Sequence, residues 1–348
     1  MRCTWLISAD VSGQTPTEWD CPLASVRYRV LAPARYLAAQ GHQVGWLRID
    51  QAAATPSEPA TAARLAADVV VISKVLSHGS LDVARAAQRS GAKVLVDLCD
   101  DHFDTPELSG TYFALCELTD GILASTAAMT ATIRRRTGRA AIQIDDPFEG
   151  PHGPPRYSPR EQYPAVKLAW FGHPVNFDTI LAMLPGLQSL TRELPLELSL
   201  VTDVAAAQRS PLWQSLNAAR QPGLKLELIP WSLAATWQTL ADSDLVVLPS
   251  LPEQKKQVKS PNRAVEGIRA GRLVLAYPLP AYQELAGGLW LGEDLAAGIR
   301  WAVAHPSEAR QLIERGQTLI VRRFAQEQVG RSWEAVLEQV AECEPLTV

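Results

Sequence analysis

Short apolar runs alternating with helical segments constrain this chain more than any other feature it has. Runs at 3–8, 42–47, 69–73, 94–98, 121–124 and 141–144 have the length of strands and end in turn residues. Helical patterns lie between them, such as 25–41, where Leu31, Ala34 and Leu37 recur on one face. Ser25 sits where that helix should be capped, and Pro33 inside it predicts a kink. The run VVVIS at 69–73 is apolar throughout, as a strand covered on both faces of a parallel sheet must be. Such alternation predicts a doubly wound α/β sheet. It stops at Asp145-Asp146-Pro147, crosses a Pro- and Gly-rich linker at 148–164 and restarts at Lys167. The restart reads LAWFG, LELSLV, LKLELIP, LVVL and LVLAY as strands with helices between. The expectation is two Rossmann-like domains, 1–155 and 156–324, followed by a helical tail at 325–348.

Composition narrows the partners. A chain of 348 residues has room for two domains. A net charge of −4 and a pI near 5.9 exclude a non-specific nucleic-acid binder, which needs a basic footprint. No apolar run approaches the ~18 residues of a membrane span, and the apolar run after Met1 is too short for a signal peptide. The five cysteines form no CxxC pair and read as buried thiols of a reducing compartment. A cytoplasmic protein is expected. The cluster Arg134, Arg135, Arg136 and Arg139 is expected at a solvated helix end, so membrane contact is at most peripheral.

The chemistry concentrates in the segment 246–284, VVLPSLPEQKKQVKSPNRAVEGIRAGRLVLAYPLPAYQE. A strand ends at Pro249-Ser250, a polar loop carries Lys255, Lys256 and Lys259, and a helix follows, with Ser260 as cap and Pro261 in its first position. It carries Arg263 and Glu266 and stops at Gly271. A lysine beside a helix start at the carboxyl end of a parallel strand is suited to phosphate, since free N–H groups and a mobile cation converge there. A carboxylate flanked by Ala264, Val265 and Ile268 is buried and needs hydrogen-bonding partners.

This segment resembles the donor-binding stretch of GT-B glycosyltransferases, in particular the retaining family 4 type. That pattern reads Pro-Ser, a loop lysine, then Glu-Ala-x-Ala-x-Gly-x-Pro-Val-Val, and the corresponding residues here are PS, Lys259 and EGIRAGRLVLA. The resemblance implies that Lys259 and Arg263 hold the donor diphosphate, that Glu266 holds the ribose, and that Gly172 and His173 approach the phosphates. It implies an N-terminal acceptor domain and a C-terminal donor domain with the nucleotide sugar in a cleft between them. The tail, through Trp333, is expected to cross back onto the N-terminal domain. No cofactor and no metal are implied, the nucleoside-diphosphate sugar being a substrate. The acceptor is a hydroxyl of a glycan, a lipid-linked glycan or a protein. The chain departs from the pattern at Val258, where the family has its first glutamate.

Two further groups fall at carboxyl edges. Ser25, Arg27 and Arg29 match a Ser-x-Arg-x-Arg pattern of related sequences and are candidates for an acceptor or phosphate site. Asp100 and Asp101, beside His102, end the fourth strand, where crowded carboxylates raise one another's pKa and supply a general base. A retaining enzyme does without that base, whereas an inverting one needs it. SADVSGQ, with one glycine, is not a dinucleotide fingerprint. The rival readings are a nucleotide-sugar epimerase and a non-catalytic nucleotide- or glycan-binding protein, the second favoured by Val258.

Overall fold

A computed structural model of the chain describes residues 1–54, 59–74, 77–157 and 165–342. Two compact units emerge. The first comprises Met1–Pro147, Val258–Ser260 and Arg323–Val348, and the second Phe148–Gln257 and Pro261–Arg322. The first thus ends short of the boundary placed at 155 and includes three residues of the loop at 249–261. Of the linker expected at 148–164, residues 158–164 lie outside the described residues.

The first unit is built on β1 (Arg2–Ile7), β2 (Gln43–Arg48), β3 (Val69–Ser73), β4 (Lys93–Leu98), β5 (Gly121–Ala124) and β6 (Ile142–Gln143). All run parallel in the order β2-β1-β3-β4-β5-β6. The strands β3 and β5 are wholly buried, which accounts for their unbroken apolar runs. One face is covered by helices that include His78–Arg89 and Pro106–Leu118, the other by Ala32–Ala39 and Gln326–Glu342. The last helix brings Trp333 to 6.1 Å from Trp5, ring to ring. Gly330 permits this seating, since a Cβ there would lie 2.2 Å from the Tyr36 ring.

The second unit carries β7 (Val166–Phe171), β8 (Leu196–Thr202), β9 (Leu224–Pro230), β10 (Leu245–Leu248), β11 (Leu273–Ala276) and β12 (Trp290–Leu291). Their order is β12-β11-β10-β7-β8-β9, again parallel. Leu168, Trp170, Leu198, Leu200, Val247 and Leu275 fill the core with Phe177 and Leu187 of the helix Phe177–Leu190. The order reverses between β7 and β10 here, and between β1 and β3 in the first sheet. Open α/β sheets bind ligands beyond the carboxyl ends of strands at such reversals.

Three local readings need correction. The helix expected to start from Ser25 starts at Ala24, with Leu23 in the cap position and no side-chain cap. Pro33 produces a wide π turn over Arg27–Leu31, in which the Ala32 N–H reaches back to the Arg27 carbonyl. Proline has no N–H for the Arg29 carbonyl, and widening the turn relieves the clash of its ring. Ser260 is likewise no cap: the helix Asn262–Arg269 has Pro261 in that place. The loop ahead of it also contains a short helix, Gln254–Gln257, where Lys256 pairs with Asp178 at 2.9 Å.

Candidate functional site

In the second unit the reversal brings the end of β7 beside the end of β10. After β7, Gly172 donates its N–H to the Val201 carbonyl, and Thr202 Oγ1 donates to the Gly172 carbonyl at 2.7 Å. This pins the loop while leaving Gly172 without a side chain. A Cβ there would sit 3.1 Å from the Trp170 ring and 3.4 Å from Arg263 Nη1. Arg263 lies in the first turn of Asn262–Arg269, its guanidinium carbon 6.0 Å from the Trp170 ring centre. Its Nη1 is buried and has no hydrogen-bond partner among the described residues. A charged donor kept from water without an acceptor is costly, so this nitrogen is poised for an anionic acceptor. His173 is exposed, and its Nδ1 accepts the Val175 N–H at 3.2 Å as the cap of the short helix Pro174–Asn176. It faces its own loop.

Glu266, one helical turn on, is 2% exposed. Its two oxygens accept the backbone N–H groups of Glu149 and Gly150 at 2.8 and 3.0 Å. Gly150 is needed for this contact, because a Cβ there would lie 2.6 Å from Glu266 Oε2. The carboxylate expected on the ribose therefore holds the entry segment of its own unit.

The carboxyl edge of the first sheet is charged. Asp100, just after β4, is bracketed by two ammonium groups: Lys74 Nζ is 2.7 Å from Oδ2, and Lys259 Nζ pairs with Oδ1. Burial pushes the Asp100 carboxyl up, but Lys74 and Lys259 outweigh it and hold it well below the usual carboxylate range. The expectation that neighbouring carboxylates raise its pKa is overturned, since its nearest charges are cations. Burial lowers the Lys74 ammonium while Asp100 raises it, with a net upward shift. Tyr112 O–H donates to the Asp100 carbonyl, which fixes the loop. Asp101 is buried, and its Oδ1 accepts the Phe103 N–H at 3.2 Å. Val258 is 2% exposed in the apolar core of this unit, and its carbonyl accepts Thr126 Oγ1 at 2.9 Å. That anchor sets Lys259 beside Asp100.

Arg29 and Arg27 are engaged by groups of the first unit itself. Arg29 is 1% exposed and makes a two-pronged contact with Asp97 at 2.6 and 3.0 Å. It also reaches Asp146 at 3.1 Å and lies 5.1 Å from the Trp333 ring centre. Burial works against its charge, but Asp97 and then Asp146 hold the guanidinium well above its ordinary value. Arg27 donates to the carbonyls of Cys21 and Pro22, both at 2.9 Å, and so closes the loop after β1. Ser25 is half-buried and caps nothing. The expected acceptor site at these three residues is thus a structural clamp. Their sequence pattern misled because the π turn buries Arg27 and Arg29 together, which a regular helix cannot do for residues two apart. Sequence reasoning missed Lys74, Asp97 and Asp146. The one available signal was a lysine directly after the apolar run VVVIS.

No protein-family model and no curated protein sequence matches the chain. Solved structures do. Anabaena HepE, crystallised in complex with UDP, superposes with a TM-score of 0.69 at 15% identity, over 97% of this chain and 100% of that one. A glycosyltransferase from Rickettsia africae gives 0.69 at 12% identity, over 99% of each. The UDP-forming α,α-trehalose-phosphate synthase of Burkholderia xenovorans gives 0.60 at 14% identity, over 85% and 79%. The chain has the GT-B fold of these glycosyltransferases. Among the described residues, no helix is long and apolar enough to cross a membrane.

Proposed function

We propose that this protein is a glycosyltransferase that moves a sugar from a nucleoside diphosphate to a hydroxyl acceptor. The observation that carries the reading is the buried Arg263 Nη1 beside Gly172, without a hydrogen-bond partner among the described residues, at the strand-order reversal of a fold shared with a protein crystallised in complex with UDP. The diphosphate lies against the Gly172 backbone, with Arg263 and the N–H groups starting the helix Asn262–Arg269 offsetting charge on the leaving group. With a protein cation on the diphosphate, the reaction proceeds without a divalent ion and without a cofactor. Asp100, held ionised by two lysines, is a poor proton acceptor, which supports retention of configuration with the leaving phosphate taking the acceptor proton.

The first test is thermal. A panel of nucleoside diphosphates that begins with UDP raises the melting temperature for the cognate base, because a ligand selective for the native state stabilises it. No shift with any of them sinks the reading. A second reading, binding without transfer, is favoured by Val258, whose apolar burial leaves no carboxylate at that position. A tight UDP-sugar complex with no product across acceptors supports it, and product from donor alone identifies an epimerase.

A further inference from the structure

His42 follows the helix Ala32–Ala39 and directly precedes β2, so it stands at the amino edge of the first sheet, the edge opposite Asp100. Its Nε2 lies 2.9 Å from Glu334 Oε1 and 4.0 Å from Glu338 Oε1. The two glutamates are one turn apart on the same face of the helix Gln326–Glu342, where like charges repel. Ligand atoms of all three side chains fall within 4.8 Å of one another, and among the described residues this is the one such group of histidine, cysteine and carboxylate side chains. Tyr36 O–H donates to Glu334 Oε2 at 3.2 Å, which turns Oε1 towards the imidazole. A cavity of about 460 Å³ adjoins the group, with Asp68, Lys93 and Glu342 also on its walls. Asp68 is met by Arg2 at 3.7 Å, and Arg331 by Glu327 at 2.6 Å. With the imidazole neutral, the carboxylates of Asp68, Glu334, Glu338 and Glu342 outnumber the cations of Arg2 and Lys93.

We infer that His42, Glu334 and Glu338 bind a divalent transition ion of the zinc class, which fastens the tail helix to the first unit. Zinc takes imidazole nitrogen and carboxylate oxygen at about 2.0–2.2 Å, which sets the ligand atoms of a tetrahedron roughly 3.4 Å apart. The observed 2.9 and 4.0 Å straddle that spacing, so each glutamate moves by only about half an ångström to complete the set. The half-exposed Glu338 side chain has room to do so. Water from the cavity takes the fourth position. A nitrogen among the ligands favours zinc over magnesium and calcium, which prefer oxygen alone. Tyr36 supplies the outer hydrogen bond that orients a ligating carboxylate. The ion replaces the repulsion between the two glutamates with a bridge from the tail to the turn before β2. The inference is independent of the glycosyltransferase reading, whose residues lie at the carboxyl edges.

Calorimetry and thermal unfolding of the full chain, freed of metal by a chelator, decide it with Zn²⁺ and Mg²⁺ as probes. Zn²⁺ is expected to bind and to raise the melting temperature, with Mg²⁺ at equal concentration doing neither. His42→Gln and Glu338→Gln are expected to weaken Zn²⁺ by roughly tenfold or more, and Tyr36→Phe, which keeps its ring against Gly330, by a few-fold. Amides of the helix Gln326–Glu342 exchange more slowly with Zn²⁺ present in the parent, and lose that protection in Glu338→Gln. Zn²⁺ affinity unchanged in Glu338→Gln, or Mg²⁺ bound as tightly as Zn²⁺, makes the group an ordinary hydrogen-bonded contact and overturns the inference. Should His42→Gln not fold, Glu338→Gln carries the test, because its carboxylate stands 4.0 Å from the imidazole and the contact between His42 and Glu334 survives the change.

Discussion

The two sheets present carboxyl edges of opposite electrostatic character. At the first edge buried Arg29 lies with Asp97 and Asp146, and covered Asp100 lies between the more exposed Lys74 and Lys259. At the second, small residues and backbone dominate, and Arg263 keeps a buried nitrogen without an acceptor. The same architecture therefore yields one edge that neutralises itself and one that waits for an anion. The difference follows from what ends each strand. After β3 and β4 come Lys74 and Asp100, while after β7 comes Gly172, which leaves room and carries no charge.

The largest expected effect breaks the first edge. Arg29→Ala leaves Asp97 buried without its cation and should cost about 3–5 kcal/mol in urea unfolding. Replacing Arg29 and Asp97 together with apolar residues of similar size should recover most of it. A loss below about 1 kcal/mol for the single change would mean that water reaches the pair and that this edge is less closed than described.

The second edge should respond the opposite way. Arg263→Met removes a cation whose Nη1 has no hydrogen-bond partner among the described residues and keeps an apolar chain against the Trp170 ring, so stability should stay within about 0.5 kcal/mol of the parent. UDP affinity should fall ten- to a hundredfold, the equivalent of roughly 1.5–3 kcal/mol for a charge-assisted contact. Unfolding and calorimetry on one preparation give both numbers. Stability lost with affinity kept would reverse the assignment.

Glu266→Gln lies between these cases. The amide can accept one of the Glu149 and Gly150 N–H groups but points its own N–H at the other, at a cost of about 1 kcal/mol or somewhat more. If the ribose also uses Glu266, uridine and UDP weaken by the same factor. Unchanged affinity for both confines the residue to holding its own strand.

The smallest effect is in the pH dependence. The Asp100 carboxyl is lower in the folded chain than in the unfolded one, so its contribution is present above the ordinary carboxylate value near pH 4. It fades as pH falls towards the folded value. The stability gap between the parent and Asp100→Asn should therefore be full at pH 7 and smaller at pH 3. A gap that grows on acidification would contradict the two-lysine bracket.

Both sheets could be read from the sequence, because buried parallel strands leave unbroken apolar runs at VVVIS, LVVL and LVLA, and glycines mark where helices end. The helix in the segment 246–284 was readable for a related reason: Arg263 and Glu266 lie on one short helix whose turn residues announce it. The first edge was not. Its partners are 24 to 159 positions apart in the chain, from Ser73 with Asp97 to Asp100 with Lys259, and no local pattern encodes which cation a carboxylate will meet. Arg27 and Arg29 were misassigned because periodicity presumes a regular helix, and one proline changed the turn.

The last helix of the chain has a consequence for biosynthesis. Val329, Trp333, Val336, Leu337 and Val340 complete an apolar core otherwise made of residues from the first 144 positions. While a ribosome is still reading the second half, one face of the first half's sheet is covered only by the segment that includes Ala32–Ala39. The second unit is complete once Arg322 has emerged, and the first keeps the part of that face around Trp5 open until the tail follows. Premature stops after residue 322 should therefore yield chains whose second half is native and whose first half recruits chaperones or aggregates.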